Sequence, residues 1–200
     1  MQIYKIKNTR LKLESRIFHL HKIFYSAFLM ENNLKFLNYT IAEDFLFFTS
    51  VLLLNPAIIS TSYNIYRYIV HENSITTTRS SKQAQKCVHD YLSVMKNIQQ
   101  QLSNINDKAQ SIYNIYTKAM NLNSFYIYKK ILIANYSTST YTSIINEFKK
   151  AKLLPIIHTG TNLKCIIGYS IINILTYIPI LYKPTSFIYN RILAKYILKL

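Results

Sequence analysis

The sequence predicts an α+β chain with three parts: a helical N-terminal extension over residues 1–75, a long helix over 80–120, and a small α-β-α-β-β domain over 108–200. The end of the long helix serves as the first element of that domain. Three observations carry this reading. Apolar residues from Val88 to Ala119 recur at alternating steps of three and four with no Gly or Pro between them, which is helical spacing. From Ser124 the pattern turns to Tyr126, Tyr128 and Ile131-Leu132-Ile133, residues that favour strands. A polar stretch from Glu72 to Lys82, rich in Ser and Thr, separates the two halves as a linker.

Within the extension, Leu13, Ile17, Leu20, Phe24 and Phe28 mark one face of a helix over residues 11–30, with Lys12, Arg16 and Lys22 on other faces. Such a basic amphipathic helix can lie on RNA, on a membrane surface or on the protein's own core. Residues 45–66 then carry no charge, about the length a bilayer span requires. Asn55-Pro56 and the polar Ser60-Thr61-Ser62 break this run, so a buried helix followed by a turn is the preferred reading over a span.

The long helix follows, with Ser80 or Ser81 placed to cap its start. Its seam runs through Val88, Tyr91, Met95, Ile98, Leu102, Ile105, Ala109, Ile112 and Tyr116. Over residues 82–119 that makes a strut of about 57 Å at 1.5 Å per residue. Gln99, Gln100, Gln101, Asn104 and Asn106 occupy outer positions where paired charges would select a partner. Docking on a neighbouring protein is therefore expected, with a homodimeric coiled coil as the alternative.

After the strand that ends at Asn135, Ser137-Thr138-Ser139 opens a helix whose apolar face is Ile144, Ile145, Phe148 and Ala151. Those hydroxyls either cap the helix or, with its open N–H groups, receive a phosphate. Residues 153–157 read as a strand and His158-Thr-Gly-Thr-Asn162 as a turn. The eighteen uncharged residues between Lys164 and Lys183 fit two strands of a hairpin with Pro179 on an edge, or a bilayer span, and Lys183-Pro-Thr-Ser-Phe-Ile-Tyr189 after them reads as a basic turn.

Lys and Arg number 24 against 8 acids, a net charge of +16. No acid follows Glu147, whereas Lys149, Lys150, Lys152, Lys164, Lys183, Arg191, Lys195 and Lys199 do. Self-repulsion on this scale calls for an anionic partner, either nucleic acid or an anionic membrane surface. The excess of Ile, Asn, Lys, Tyr and Phe, with two glycines and no Trp, points to an AT-rich genome such as an organelle's. Cys87 and Cys165 stand far apart and are expected to be reduced, and residues 1–10 lack the apolar core of a secretory signal. The acids are scattered, His19 and His21 lie on different helix faces, and two glycines cannot build a phosphate-binding loop. No catalytic residue, metal, cofactor or small-molecule substrate is expected.

Four short motifs share an order and spacing. They are Ile115-Tyr-Thr-Lys-Ala119, Tyr136-Ser-Thr-Ser139, Phe148-Lys-Lys-Ala-Lys-Leu-Leu154 and Lys183-Pro-Thr-Ser-Phe-Ile-Tyr189. In that order they resemble the N-terminal half of the eighth small-subunit ribosomal protein family, whose corresponding motifs are Ile-Arg-Asn-Ala, Pro-Ser-Ser-Lys, Leu-Lys-x-Glu-Gly-Tyr-Ile and Lys/Arg-Pro-Gly-x-x-Ile-Tyr. The family's glycines are replaced here by Lys152 and Thr185, and its second, β-rich half has no counterpart after Tyr189.

The resemblance implies a structural, rRNA-binding constituent of an organellar small ribosomal subunit, in the mitochondrial matrix. Its RNA contacts would be Lys118, Ser137, Thr138, Ser139, Lys149, Lys150, Lys183, Pro184, Tyr189 and Arg191, holding folded RNA by shape. The helix over 82–119 would brace neighbouring ribosomal proteins. The alternative function, drawn from the two uncharged runs, is an organelle-encoded membrane subunit of a respiratory or ATP-synthesising complex with spans near 45–66 and 165–182.

Overall fold

The computed structural model describes residues 2–4, 23–60, 80–103, 123–157 and 163–193. Strand β1 (Gln2–Tyr4) pairs antiparallel with β2 (Ile58–Ser60), Ile3 opposite Ile59. The helices are α1 (Ser26–Glu31), α2 (Glu43–Leu53), α3 (Ser81–Ser103), α4 (123–134), α5 (Thr138–Lys150), α6 (Leu163–Tyr177) and α7 (Tyr182–Ile188). A single turn of 3-10 helix, Pro179–Leu181, leads into α7, and a π turn, Tyr189–Leu193, leaves it.

The architecture is a helical bundle, and the expected α-β-α-β-β domain is not what the chain builds. No strand occurs among the described residues of 123–193. The segment read as a strand through Tyr126–Ile133 is α4, which buries Ile127, Ile131 and Ala134 at steps of four and three. The 165–182 hairpin is α6 and the turn after it. A strand would bury Tyr169 and Ile171 on one face, but Ile172 is buried while Ile171 is 50 % exposed. Residues 153–157 have no regular structure, and the basic turn after Lys183 is α7. β-propensity measures fit to a half-covered pleated surface, not a backbone preference, so Ile and Tyr accept helix when helical packing covers them.

α2 lies deepest. Asp44 accepts a hydrogen bond from the Phe45 N–H (2.7 Å), and with Glu43 it puts negative charge at the positive end of the helix. Phe45, Leu46, Phe47, Phe48, Val51 and Leu52 are all buried, and the Thr49 hydroxyl is satisfied by the Phe45 carbonyl. Asn55, in the left-handed region (φ 52°), ends the helix before Pro56. Phe36 stacks on Phe47 at 4.1 Å and Phe24 meets it edge-on at 5.4 Å, so this part of the extension folds back on its own core.

α3 starts where the sequence places it, the Ser80 hydroxyl accepting from the Gln83 N–H. Its seam through Val88, Tyr91, Met95 and Ile98 is buried inside the chain. Tyr91 stacks near Phe148 of α5, Lys96 pairs with Glu147, and Gln99 donates to the Ala151 carbonyl. The strut beyond Ser103, with Lys118, and the helix before Ile23 lie outside the described residues.

Candidate anion-binding groove and apolar face

The last turn of α4 needs acceptors filled, because the final carbonyls of a helix have no partner within it. α3 and α7 fill them. The Ser81 hydroxyl and the Gln85 amide donate to the Ala134 carbonyl. The Tyr182 hydroxyl donates to the Ile131 carbonyl at 2.9 Å, and Ser186 and Asn190 donate to the Leu132 carbonyl. Tyr182 also stacks on Tyr141 at 4.0 Å and accepts from the Tyr136 N–H. Tyr182, Ser186 and Asn190 stand four residues apart, so one face of α7 and the turn after it is committed inward.

The rest of the helix surface is left outward. There Lys183, Pro184, Phe187, Ile188 and Arg191 join Asn135, at the end of α4, around an open groove of about 660 Å³, with Asn190 at its edge. Lys183 donates to the Asn135 side-chain oxygen at 3.3 Å, close to the negative end of α4. The Arg191 guanidinium lies over the Phe187 ring, 5.2 Å from its centroid. Among the described residues neither cation is paired with a carboxylate. The groove holds fixed positive charge beside apolar surface, an arrangement suited to holding an anion that carries an apolar part.

The remaining residues expected at an RNA contact are dispersed. The Ser137 hydroxyl caps α5, accepting from the Thr140 N–H (3.0 Å) and sharing a hydrogen bond with Ser139. Thr138 is exposed beside it, its carbonyl accepting from Thr142. Lys149 and Lys150 sit at the far end of α5, about 18 Å away along the helix. Lys149 donates to the Thr176 carbonyl and lies over the Tyr177 ring (4.8 Å), and Lys150 pairs with Glu147. Tyr189 is buried. The structure thus brings Lys183, Pro184 and Arg191 together and separates them from the Ser137–Ser139 cap and from Lys149 and Lys150. Asn135, Phe187, Ile188 and Asn190 join the groove unforeseen. The signal for Phe187 was the four-residue step from Lys183 to Phe187 to Arg191, legible once α7 is known to be helix.

A second feature adjoins on α6. Its inward side is Tyr169, Ile172, Leu175 and Thr176, while Ile167, Ile171, Ile174 and Tyr177 form a continuous outward stripe at helical steps. Ile178, Ile180 and Leu181 continue the exposure around the turn, Ile180 reaching 76 %. Pro179 lacks an N–H and ends the helix ladder there, and the segments Ile166–Tyr177 and Pro179–Arg191 meet at 114°. Among the described residues no single helix is long and apolar enough to cross a membrane, although this bent pair has the length and composition when taken together. Nor do three or more His, Cys, Asp or Glu gather there to hold a metal.

The chain matches no family model, no curated protein and no solved structure.

Proposed function

We propose that this chain is a non-catalytic helical subunit that lies on an anionic membrane surface of an organelle, with the α6–α7 elbow as its contact. The observation that carries the reading is α6 itself, a helix apolar on both sides with only one side covered by the core. A helix that is hydrophobic all round is buried in a larger core or in lipid. The exposed side is mainly aliphatic isoleucine, which matches acyl chains better than it matches nucleic-acid bases. The chain after Glu147 is free of acids, which favours an anionic surface.

Lying on the surface fits better than spanning. α6 has 15 residues, about 22 Å of helix against a hydrocarbon core of about 30 Å. The other uncharged run, from residue 45, has its apolar side chains through Leu52 inside the fold. Flotation with lipid vesicles tests the proposal. Binding to phosphatidylcholine vesicles that contain phosphatidylglycerol, weakened by salt, is expected. Failure to float with them at low salt would sink it.

One observation favours a second reading, a structural rRNA-binding constituent of a mitochondrial small ribosomal subunit. Phe187 is 61 % exposed with Arg191 over its ring, an arrangement that can stack a base beside a phosphate contact. Co-sedimentation with small-subunit RNA after detergent treatment is the result that reading expects.

A further inference from the structure

The groove on α7 carries more than an apolar anchor requires. Lys183 and Arg191 stand eight residues apart on the outward side, and both line the same concavity. An ammonium has three donors, and the structure gives Lys183 one partner, Asn135. The guanidinium of Arg191 lies 5.2 Å from the Phe187 ring centroid, and its planar fork matches a phosphate with two parallel hydrogen bonds. Pro184, Phe187 and Ile188 supply an apolar wall next to these cations. An anion with an apolar body attached at one end satisfies both halves of such a groove, whereas a bare phosphate leaves the wall unused.

We infer that the groove is a headgroup site for an anionic phospholipid, Lys183 and Arg191 taking the phosphodiester while Pro184, Phe187 and Ile188 flank its glycerol and upper acyl chain. The inference rests on the interfacial reading above and adds a defined site to it. It differs from diffuse attraction in a measurable way. A cation near an anionic surface contributes about fivefold in binding wherever it sits. Loss of a charge-assisted hydrogen bond to a held phosphate costs about thirtyfold.

The test uses the full chain and vesicles of phosphatidylcholine with phosphatidylglycerol, comparing Lys183→Gln and Arg191→Gln with Lys152→Gln, an exposed lysine outside the groove. All three side chains are on the surface, and circular dichroism confirms retained helix. The expected result is a drop of about thirtyfold for each groove variant and about fivefold or less for Lys152→Gln. Equal losses for all three would overturn the headgroup site and leave the interfacial reading standing. Absence of vesicle binding by the unaltered chain would overturn both. A single-stranded RNA oligonucleotide that binds tightly, loses binding with Lys183→Gln, and is not displaced by the vesicles would assign the groove to RNA and overturn the inference.

Discussion

α2 and α6 look alike in sequence and end in different situations. Both begin uncharged runs long enough to raise the question of a bilayer, and both are rich in large apolar side chains. α2 buries Phe45 through Phe48, Val51 and Leu52, with α3 packed along it and Phe24 and Phe36 closing over Phe47. α6 buries one side and leaves Ile167, Ile171, Ile174 and Tyr177 outside. Apolar length therefore records that a segment is to be covered without recording by what. The covering comes from the neighbours: α2 has them on all sides, whereas α6 has them on one.

The sharpest way to break the comparison is to truncate one side chain on each helix. Phe45→Ala in α2 is expected to destabilise the fold by about 3–5 kcal/mol, since it leaves a cavity in a fully packed site. Ile171→Ala on the outer side of α6 is expected to change stability by no more than about 0.5 kcal/mol. Chemical denaturation monitored by circular dichroism reads both, and equal losses would mean the two helices are covered alike. Next, Ile171→Ser should weaken vesicle binding by about tenfold or more, the transfer energy of one large aliphatic side chain, with no change in the denaturation midpoint. Unaltered flotation of that variant would remove α6 from the contact.

A third prediction concerns the buried tyrosines that fix α6 and α7 to α4 and α5. The Tyr141 hydroxyl donates to the Leu175 carbonyl (3.0 Å), so the 2.6 Å contact with Tyr128 is donated by Tyr128. Tyr141→Phe removes two hydrogen bonds at a buried site and is expected to cost about 1–3 kcal/mol, more than Tyr128→Phe, in the same denaturation assay. Burial pushes the Tyr141 and Tyr136 phenols up to about 12, and it raises Tyr91 and Tyr128 as well. These phenols are held neutral in the folded chain. Their contribution is complete below the ordinary phenol value of 10 and is lost as pH rises from there towards about 12, because the unfolded chain releases its protons first. The chain should therefore lose stability on alkaline titration over that interval, and a flat midpoint there would contradict the buried cluster.

The smallest effect belongs to the surface pairs. Lys96 first, and Lys150 with it, hold the Glu147 carboxyl below its ordinary value. Their contribution is present above pH 4.5 and fades as the carboxylate protonates below it. Lys96→Ala should shift the denaturation midpoint less than Tyr141→Phe does.

The sequence revealed features that rest on a single periodic signal. The seam from Val88 to Ile98 and the Ser137 cap before Ile145, Phe148 and Ala151 were legible because apolar and polar residues alternate with the helical period. α4 and α6 were not, because apolar residues on nearly every face erase that period and leave only β-branched composition to judge by. The groove was half legible. Lys183 and Arg191 stood out in an acid-free segment, but reading Lys183-Pro184 as the start of a turn hid the helical step that brings Phe187 between them. Asn135 reaches the groove only through tertiary contact with Lys183.

The chain contains no Trp, so a single introduced indole reports one position without background. Phe47→Trp in α2 and Ile171→Trp in α6, each measured with and without phosphatidylglycerol-containing vesicles, test most directly what covers α6. The account predicts blue-shifted emission for the α2 reporter in both conditions, and for the α6 reporter emission typical of water in the free chain that shifts to the blue on the vesicles. An α6 reporter that stays water-exposed on the vesicles, or that is already shielded in the dilute free chain, would contradict it.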